Sequence, residues 1–192
     1  MNIGIYGGSF NPIHYGHLLL AQSAGEEYNL DKILFVVSVN PPHKDKSFMP
    51  SFEHRFNMVN LAIKDKANFE SSDIEKEIEG KSYTFYVIQK LKEKYGKDNN
   101  FFLIMGQDEA NYFTNWFKYN EIMKMCKIIV GRRVNDLPPN NLNFEYIDMP
   151  CIEISSSDLR NKIRNNKSIM YYTEKSVIDY IKDRKIYLEN EN

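Results

Sequence analysis

The chain has 192 residues, 42% of them hydrophobic and 14% aromatic, with a formal net charge of −1. That is enough apolar material for one domain with a real core, and it excludes a disordered chain. The near-zero charge argues against a protein built around DNA or RNA backbone contacts, while leaving room for a local basic pocket that takes one nucleotide.

Strand-like and helix-like stretches alternate from the start. Residues 2–6 read as a short strand and 17–28 as a helix. KILFVVSV (32–39) is a continuous apolar, β-branched run, the pattern of a strand buried on both faces. A polar loop with Pro41, Pro42 and Pro50 follows, then a helix over about 51–65 with Phe52, Phe56, Val59 and Ile63 on one face. Weak alternation over 71–80 predicts an edge strand, and 82–95 a helix carrying Phe85, Ile88 and Leu91. FFLIM (101–105) is a buried strand stopped by Gly106. Helical pieces fill 108–125, KIIV (127–130) is a strand, 135–143 a loop and 144–148 a further strand. Helices over 156–165 and 174–183 complete the chain before a frayed end. Such alternation predicts an α/β fold: a mostly parallel sheet with helices on both faces, in a single domain over 1–192.

Cys126 and Cys151 have neither metal spacing nor a disulfide-framework pattern, so they read as small buried hydrophobes of a reducing compartment. The start has no basic segment followed by a long apolar one, so no signal peptide is expected. No run approaches the ~18 apolar residues of a membrane span.

The first loop is where chemistry concentrates. GIYGGSFNPIHYGH, from Gly4 to His17, combines four glycines with two histidines and no charged residue. It follows the first strand, and ligands of open α/β sheets bind past the carboxyl ends of strands. Gly7 and Gly8 let backbone N–H groups approach a ligand, and the helix that follows offers its positive end. His14 and His17 add donors there. A single histidine would be an even bet for an ordinary buried polar residue, but two in H-x-x-H order with a glycine between are harder to dismiss. Zinc binding is disfavoured because no third ligand lies nearby. The stretch is neither the G-x-G-x-x-G dinucleotide fingerprint nor a P-loop.

Two other loops join it. ISSSDLR (154–160) places serines before a short apolar-periodic helix. A plain capping box with Asp158 would account for them, and so would a second anion site completed by Arg160. PPHK (41–44) sets His43 and Lys44 after the second strand.

GGSFNPIHYGH (7–17) with ISSSDLR resembles the signature pair of the nucleotidyltransferase superfamily, H-x-G-H plus a serine-rich element ending in arginine. PPHK, SYT (82–84), LIMGQD (103–108), NWFKYNEI (115–122) and VGRR (130–133) occur in the order and spacing of bacterial nicotinate-nucleotide adenylyltransferases. The resemblance runs from Asn2 to about Tyr187 and implies a doubly wound, Rossmann-like nucleotidyltransferase fold. It implies adenylyl transfer from ATP to nicotinate mononucleotide, giving nicotinate adenine dinucleotide and pyrophosphate, in a cytoplasmic enzyme of NAD biosynthesis. By resemblance the ATP site comprises Gly7, Gly8, Ser9, Phe10, His14, His17, Gly106, Asp108, Ile154, Ser155, Ser156 and Arg160. The mononucleotide side comprises Lys44, Ser82, Tyr83, Thr84, Trp116, Phe117 and Arg133. His14, His17, Lys44 and Arg160 would carry the chemistry, and Mg²⁺ would be held mainly by substrate phosphates. Two departures stand out: Asn11 where many relatives have Asp, and FYVI after SYT where many read x-D-T-L.

The attacking phosphate oxygen is already ionised, so neither a general base nor a protein nucleophile is needed. In-line positioning and charge neutralisation suffice. The flat Trp116 indole is expected to stack on the pyridine ring, and core packing is its other reading. The Ser82–Thr84 turn is expected to offer N–H groups to the pyridine carboxylate. Nicotinamide mononucleotide or phosphopantetheine are alternative acceptors. A non-catalytic nucleotide sensor would have lost H-x-G-H or the Arg160 element, and both are intact. A class I aminoacyl-tRNA synthetase would be longer and carry a K-M-S-K-S-like loop. No nucleic-acid or membrane partner is expected, and the oligomeric state is left open.

Overall fold

The computed structural model describes residues 1–39, 49–133, 142–149 and 152–188. Six strands form one sheet: β1 (Asn2–Gly8), β2 (Lys32–Val37), β3 (Phe69–Ser72), β4 (Asn100–Gly106), β5 (Lys127–Arg133) and β6 (Glu145–Met149). Their order is β3-β2-β1-β4-β5-β6, and every neighbouring pair is parallel. The mostly parallel sheet expected from the sequence is thus wholly parallel among the described residues. The helices are α1 (Tyr15–Glu27), α2 (Phe52–Ile63), α3 (Thr84–Tyr95), α4 (Gln107–Asn111), α5 (Tyr119–Met125), α6 (Ser156–Arg164) and α7 (Lys175–Asp183).

The continuous apolar runs are divided by the strand's period of two. On β2, Ile33, Phe35 and Val37 enter one core with Leu20, Ala24, Met58, Val59 and Ile178 of α1, α2 and α7. Leu34 and Val36 enter the other, with Ile88 and Leu91 of α3 and Ile122 of α5. Strand β4 divides likewise, Phe102 and Ile104 to the first core and Phe101, Leu103 and Met105 to the second. A sheet covered on both faces can be apolar at every position, which is why these strands showed no alternation.

The strand expected over 71–80 is the one element to correct. Pairing with β2 stops at Ser72, and a 3-10 turn spans Ile74–Glu77. The Ser72 hydroxyl accepts from the Ile74 amide, a local bond that competes with the sheet ladder. The expected helix at 17–28 begins earlier, at Tyr15. The loop expected over 135–143 lies mostly outside the described residues, as does Cys151. Cys126 is buried, and burial pushes its thiol up to about 12, as fits an inert packing residue. No described helix is long and apolar enough to cross a membrane.

In a parallel sheet all carboxyl ends share one edge. Here that edge gathers Gly8, Val37, Ser72, Gly106, Arg133 and Met149. Connections from β1 lead to β2 on one side, and β4 pairs with β1 on the other. The crevice between β1 and β4 is the topological switch point, where ligands of such folds bind.

Candidate active site

Gly7 and Gly8 end β1 at that switch point, and a Cβ added at Gly7 would meet open space. The loop from Ser9 to His14 then turns into α1. Phe10, with φ of 44°, is buried and packs edge-on against Tyr6 and His17. It supports the site from beneath. His14 is the N-cap residue of α1 and is buried; His17, three residues on, is half-buried. Their imidazoles lie against each other, tilted by 31°, with centroids 3.7 Å apart. The backbone N–H of His14 donates to Nδ1 of His17 at 3.2 Å. A backbone amide only donates, so neutral His17 carries its proton on Nε2 and presents an N–H donor there. The glycine between them has a steric cause: a Cβ at Gly16 would lie 3.0 Å from Nδ1 of His14.

The second signature element is locked onto this loop. Ser156 Oγ donates to the Pro12 carbonyl at 2.9 Å, and Arg160 Nη1 donates to the Asn11 carbonyl at 2.9 Å. Arg160 Nη2 also donates to Ser157 Oγ. Ser155 caps α6, accepting from the Asp158 amide and donating to the Asp158 carboxylate at 2.6 Å. All three serine hydroxyls therefore serve the structure. The capping reading holds for Ser155, and what α6 presents to an anion is its first amides and Arg160. Ile154 is half-buried against the first core, and its carbonyl lies near Gly16.

The other side of the edge is built differently. Ser82 and Tyr83 precede α3, and Thr84 is its first residue. The Tyr83 amide donates to the Lys81 carbonyl at 2.9 Å. That bond removes one of the donors expected from the Ser82–Thr84 turn. The first helical amides, of Thr84 and Phe85, have no helix carbonyl within reach and become the available pair. The ring stacked over the turn is Phe117, whose centroid lies 4.6 Å from that of Tyr83 with planes 25° apart. Trp116 is half-buried, tilted against Phe113 in the second core. Gly106 and Asp108 sit where β4 passes into α4, Asp108 being exposed. Arg133 ends β5 at the same edge. Lys44 and His43 lie outside the described residues.

Four residues of the site region escaped the sequence reading. Arg55 of α2 is 1% exposed and donates to the carbonyls of Ser9 at 2.9 Å and Pro50 at 3.2 Å. Burial holds its guanidinium below the usual range, opposed by Tyr187 and Glu75. It stands on the apolar face of α2, three residues after Phe52, and a charge at a core-facing position was the available signal. Thr173 Oγ1 donates to the Ile13 carbonyl at 2.8 Å. The Tyr187 hydroxyl donates to Oδ1 of Asn11 at 2.7 Å, and burial pushes its pKa up. The fourth is Glu75 in the 3-10 turn, which accepts from the Val39 amide and the Ser82 hydroxyl.

A family model described as cytidylyltransferase-like matches residues 5–162, from β1 into α6. A Lactococcus lactis protein named "probable nicotinate-nucleotide adenylyltransferase" is 36% identical over 185 residues, covering 96% of this chain and 94% of its own. A Flavobacterium johnsoniae protein of the same name is 38% identical over 192 residues, covering 97% and 99%. The chain belongs to the nicotinate-nucleotide adenylyltransferase family. Among solved structures, nicotinic acid mononucleotide adenylyltransferase of Plasmodium falciparum, complexed with NaAD, superposes with a TM-score of 0.79 at 23% identity, covering 97% of each chain. The same enzyme complexed with APC gives 0.79 at 22% identity, covering 97% of this chain and 96% of that one. At that identity the likeness speaks for the fold, which is the doubly wound one expected for the family.

Proposed function

We propose that this chain transfers the adenylyl group of ATP to nicotinate mononucleotide, forming nicotinate adenine dinucleotide and releasing pyrophosphate. The observation that carries this reading is the interlock of the two signature elements: Ser156 and Arg160 bind the carbonyls of the loop that ends in His14 and His17. The loop's carbonyls are taken by protein donors. Its edge therefore offers the amino end of α1, the Nε2–H of His17 and Arg160 to an anion.

In the reaction a phosphate oxygen of the mononucleotide attacks the α-phosphorus of ATP. The new O–P bond forms as the bond to the bridging α–β oxygen breaks, and that electron pair leaves with pyrophosphate. The attacking oxygen is ionised at neutral pH, so the residues only hold the groups in line and meet developing charge. His17 Nε2–H, with His14 packed on it, stabilises the α-phosphoryl oxygens, and Arg160 the leaving pyrophosphate. Lys44, which follows β2 in the sequence, would steer phosphate groups. Mg²⁺ would arrive as the counter-ion of ATP, where it would neutralise charge on the phosphates.

The pyridine ring lies against the aromatic face of Tyr83 and Phe117, and its carboxylate meets the amides of Thr84 and Phe85. Residues 1–192 act as one nucleotidyltransferase domain, working in the cytoplasm. The test is an assay of purified protein with ATP, Mg²⁺ and, in turn, nicotinate mononucleotide, nicotinamide mononucleotide and phosphopantetheine. Dinucleotide and pyrophosphate are expected in equal amounts with the first acceptor. Product from phosphopantetheine alone would overturn the reading.

A further inference from the structure

Glu75 is the only buried acidic side chain among the described residues. Its place in the fold is unusual. It sits in the 3-10 turn after β3, yet its Oε2 joins two other segments of the carboxyl edge. It accepts from the Val39 amide, just past β2, at 2.9 Å and from the Ser82 hydroxyl, just before α3, at 2.6 Å. A buried carboxylate is costly unless its partners are well placed, so the arrangement ties both segments closely to one point. The bond also commits the proton of Ser82 to Glu75, leaving that hydroxyl only as an acceptor toward the site.

We propose that Glu75 is a positioning residue: through Ser82 it sets where α3 begins and where the amides of Thr84 and Phe85 point. The proposal rests on the mononucleotide reading given for that turn. Glu75 touches no substrate; it acts by holding the donors that do, and small displacements of such donors weaken binding steeply. Its burial raises the carboxyl pKa, while Ser82, Val39 and Arg55 pull it down. These are the partners expected of a carboxylate kept for its acceptor oxygen.

The experiment compares Glu75→Ala, Glu75→Gln and Ser82→Ala in the full chain, with KM measured separately for nicotinate mononucleotide and ATP. Glu75→Ala is expected to raise the mononucleotide KM at least tenfold and the ATP KM less than threefold. Glu75→Gln keeps a carbonyl acceptor at the same point and is expected to stay within threefold of the parent on both. Ser82→Ala removes the same bond from the other end, so it should reproduce the mononucleotide-selective rise even if Glu75→Ala does not fold. Equal rises in both KM values, or an unchanged mononucleotide KM in Ser82→Ala, would overturn the positioning role. A parent protein that makes no dinucleotide from nicotinate mononucleotide would instead overturn the functional reading, so the two failures are separable.

Discussion

The two halves of the carboxyl edge are held in opposite ways. The loop between β1 and α1 is fixed at almost every carbonyl: Ser9 by Arg55, Asn11 by Arg160, Pro12 by Ser156 and Ile13 by Thr173. Those donors come from α2, α6 and the segment before α7, so the loop is set by parts of the chain remote from it. The turn before α3 depends on one carboxylate, Glu75, and on stacked rings, Tyr83 on Phe117. On the proposed reading, the difference follows the ligands. A triphosphate in-line reaction needs donors fixed before charge develops. A flat ring can be gripped by aromatic faces that tolerate small shifts.

The contrast can be broken at its strongest point first. Arg55→Met removes a buried cation that holds the Ser9 carbonyl and faces Glu75. Each of its two charged hydrogen bonds, to the Ser9 and Pro50 carbonyls, is worth about 1.5–3 kcal/mol. Denaturant unfolding should show that loss, and the surviving enzyme should show a raised KM for ATP. A loss under about 1 kcal/mol would mean that the loop does not depend on Arg55.

His17→Ala comes next. Losing one preorganised donor costs about 2.7–4 kcal/mol, or roughly 10²–10³ in kcat. The variant should stay folded, with only the modest loss of a helix-cap contact. Steady-state kinetics beside a melting curve decide the matter. Turnover within threefold of the parent would remove His17 from the chemistry.

The ring side should respond in specificity. A carboxylate satisfies both amides of Thr84 and Phe85, whereas a carboxamide turns its NH₂ toward one of them. An unsatisfied buried donor costs ~1–3 kcal/mol, so kcat/KM for nicotinate mononucleotide should exceed that for nicotinamide mononucleotide at least tenfold. A ratio near one would show that these amides do not read the acid. Stacking is expected to matter less, about 0.5–1.5 kcal/mol. Phe117→Ala should raise KM for both mononucleotides by a similar factor, several-fold. Trp116→Ala, which strips a ring from the second core, should lower the melting temperature more than it alters either KM. The reverse pattern would give the pyridine ring to Trp116.

The smallest effect is a pH dependence. Burial raises the Glu75 carboxyl above its ordinary value of 4.5, so the folded chain holds that proton more tightly than the unfolded chain. Its contribution favours the folded state below the ordinary value and fades as pH rises through the raised one. Glu75→Gln lacks this dependence. The stability of the parent relative to Glu75→Gln should therefore fall from pH 4 to pH 7, and a difference that rises instead would show that the Ser82, Val39 and Arg55 contacts outweigh burial.

By itself the sequence determined most of the order of strands and helices, the parallel sheet and the family. Those features are local or periodic: β-branched runs of strand length, one-sided helix patterns, glycines beside histidines, serines ahead of an arginine. Only the tertiary structure decided what the polar groups do. The serines of ISSSDLR left a capping box and an anion site both open; in the fold the hydroxyls of Ser155, Ser156 and Ser157 cap α6 and hold its arginine and the first loop. Trp116 read either as the stacking ring or as core, and folding turns it toward Phe113 while Phe117 lies on Tyr83. Glu75 gave no signal because its turn read as strand, and its partners Val39 and Ser82 reach it only through the crossovers of the sheet. A hydrogen bond depends on which atoms meet across the fold, and residue spacing along the chain records periodicity, not those meetings.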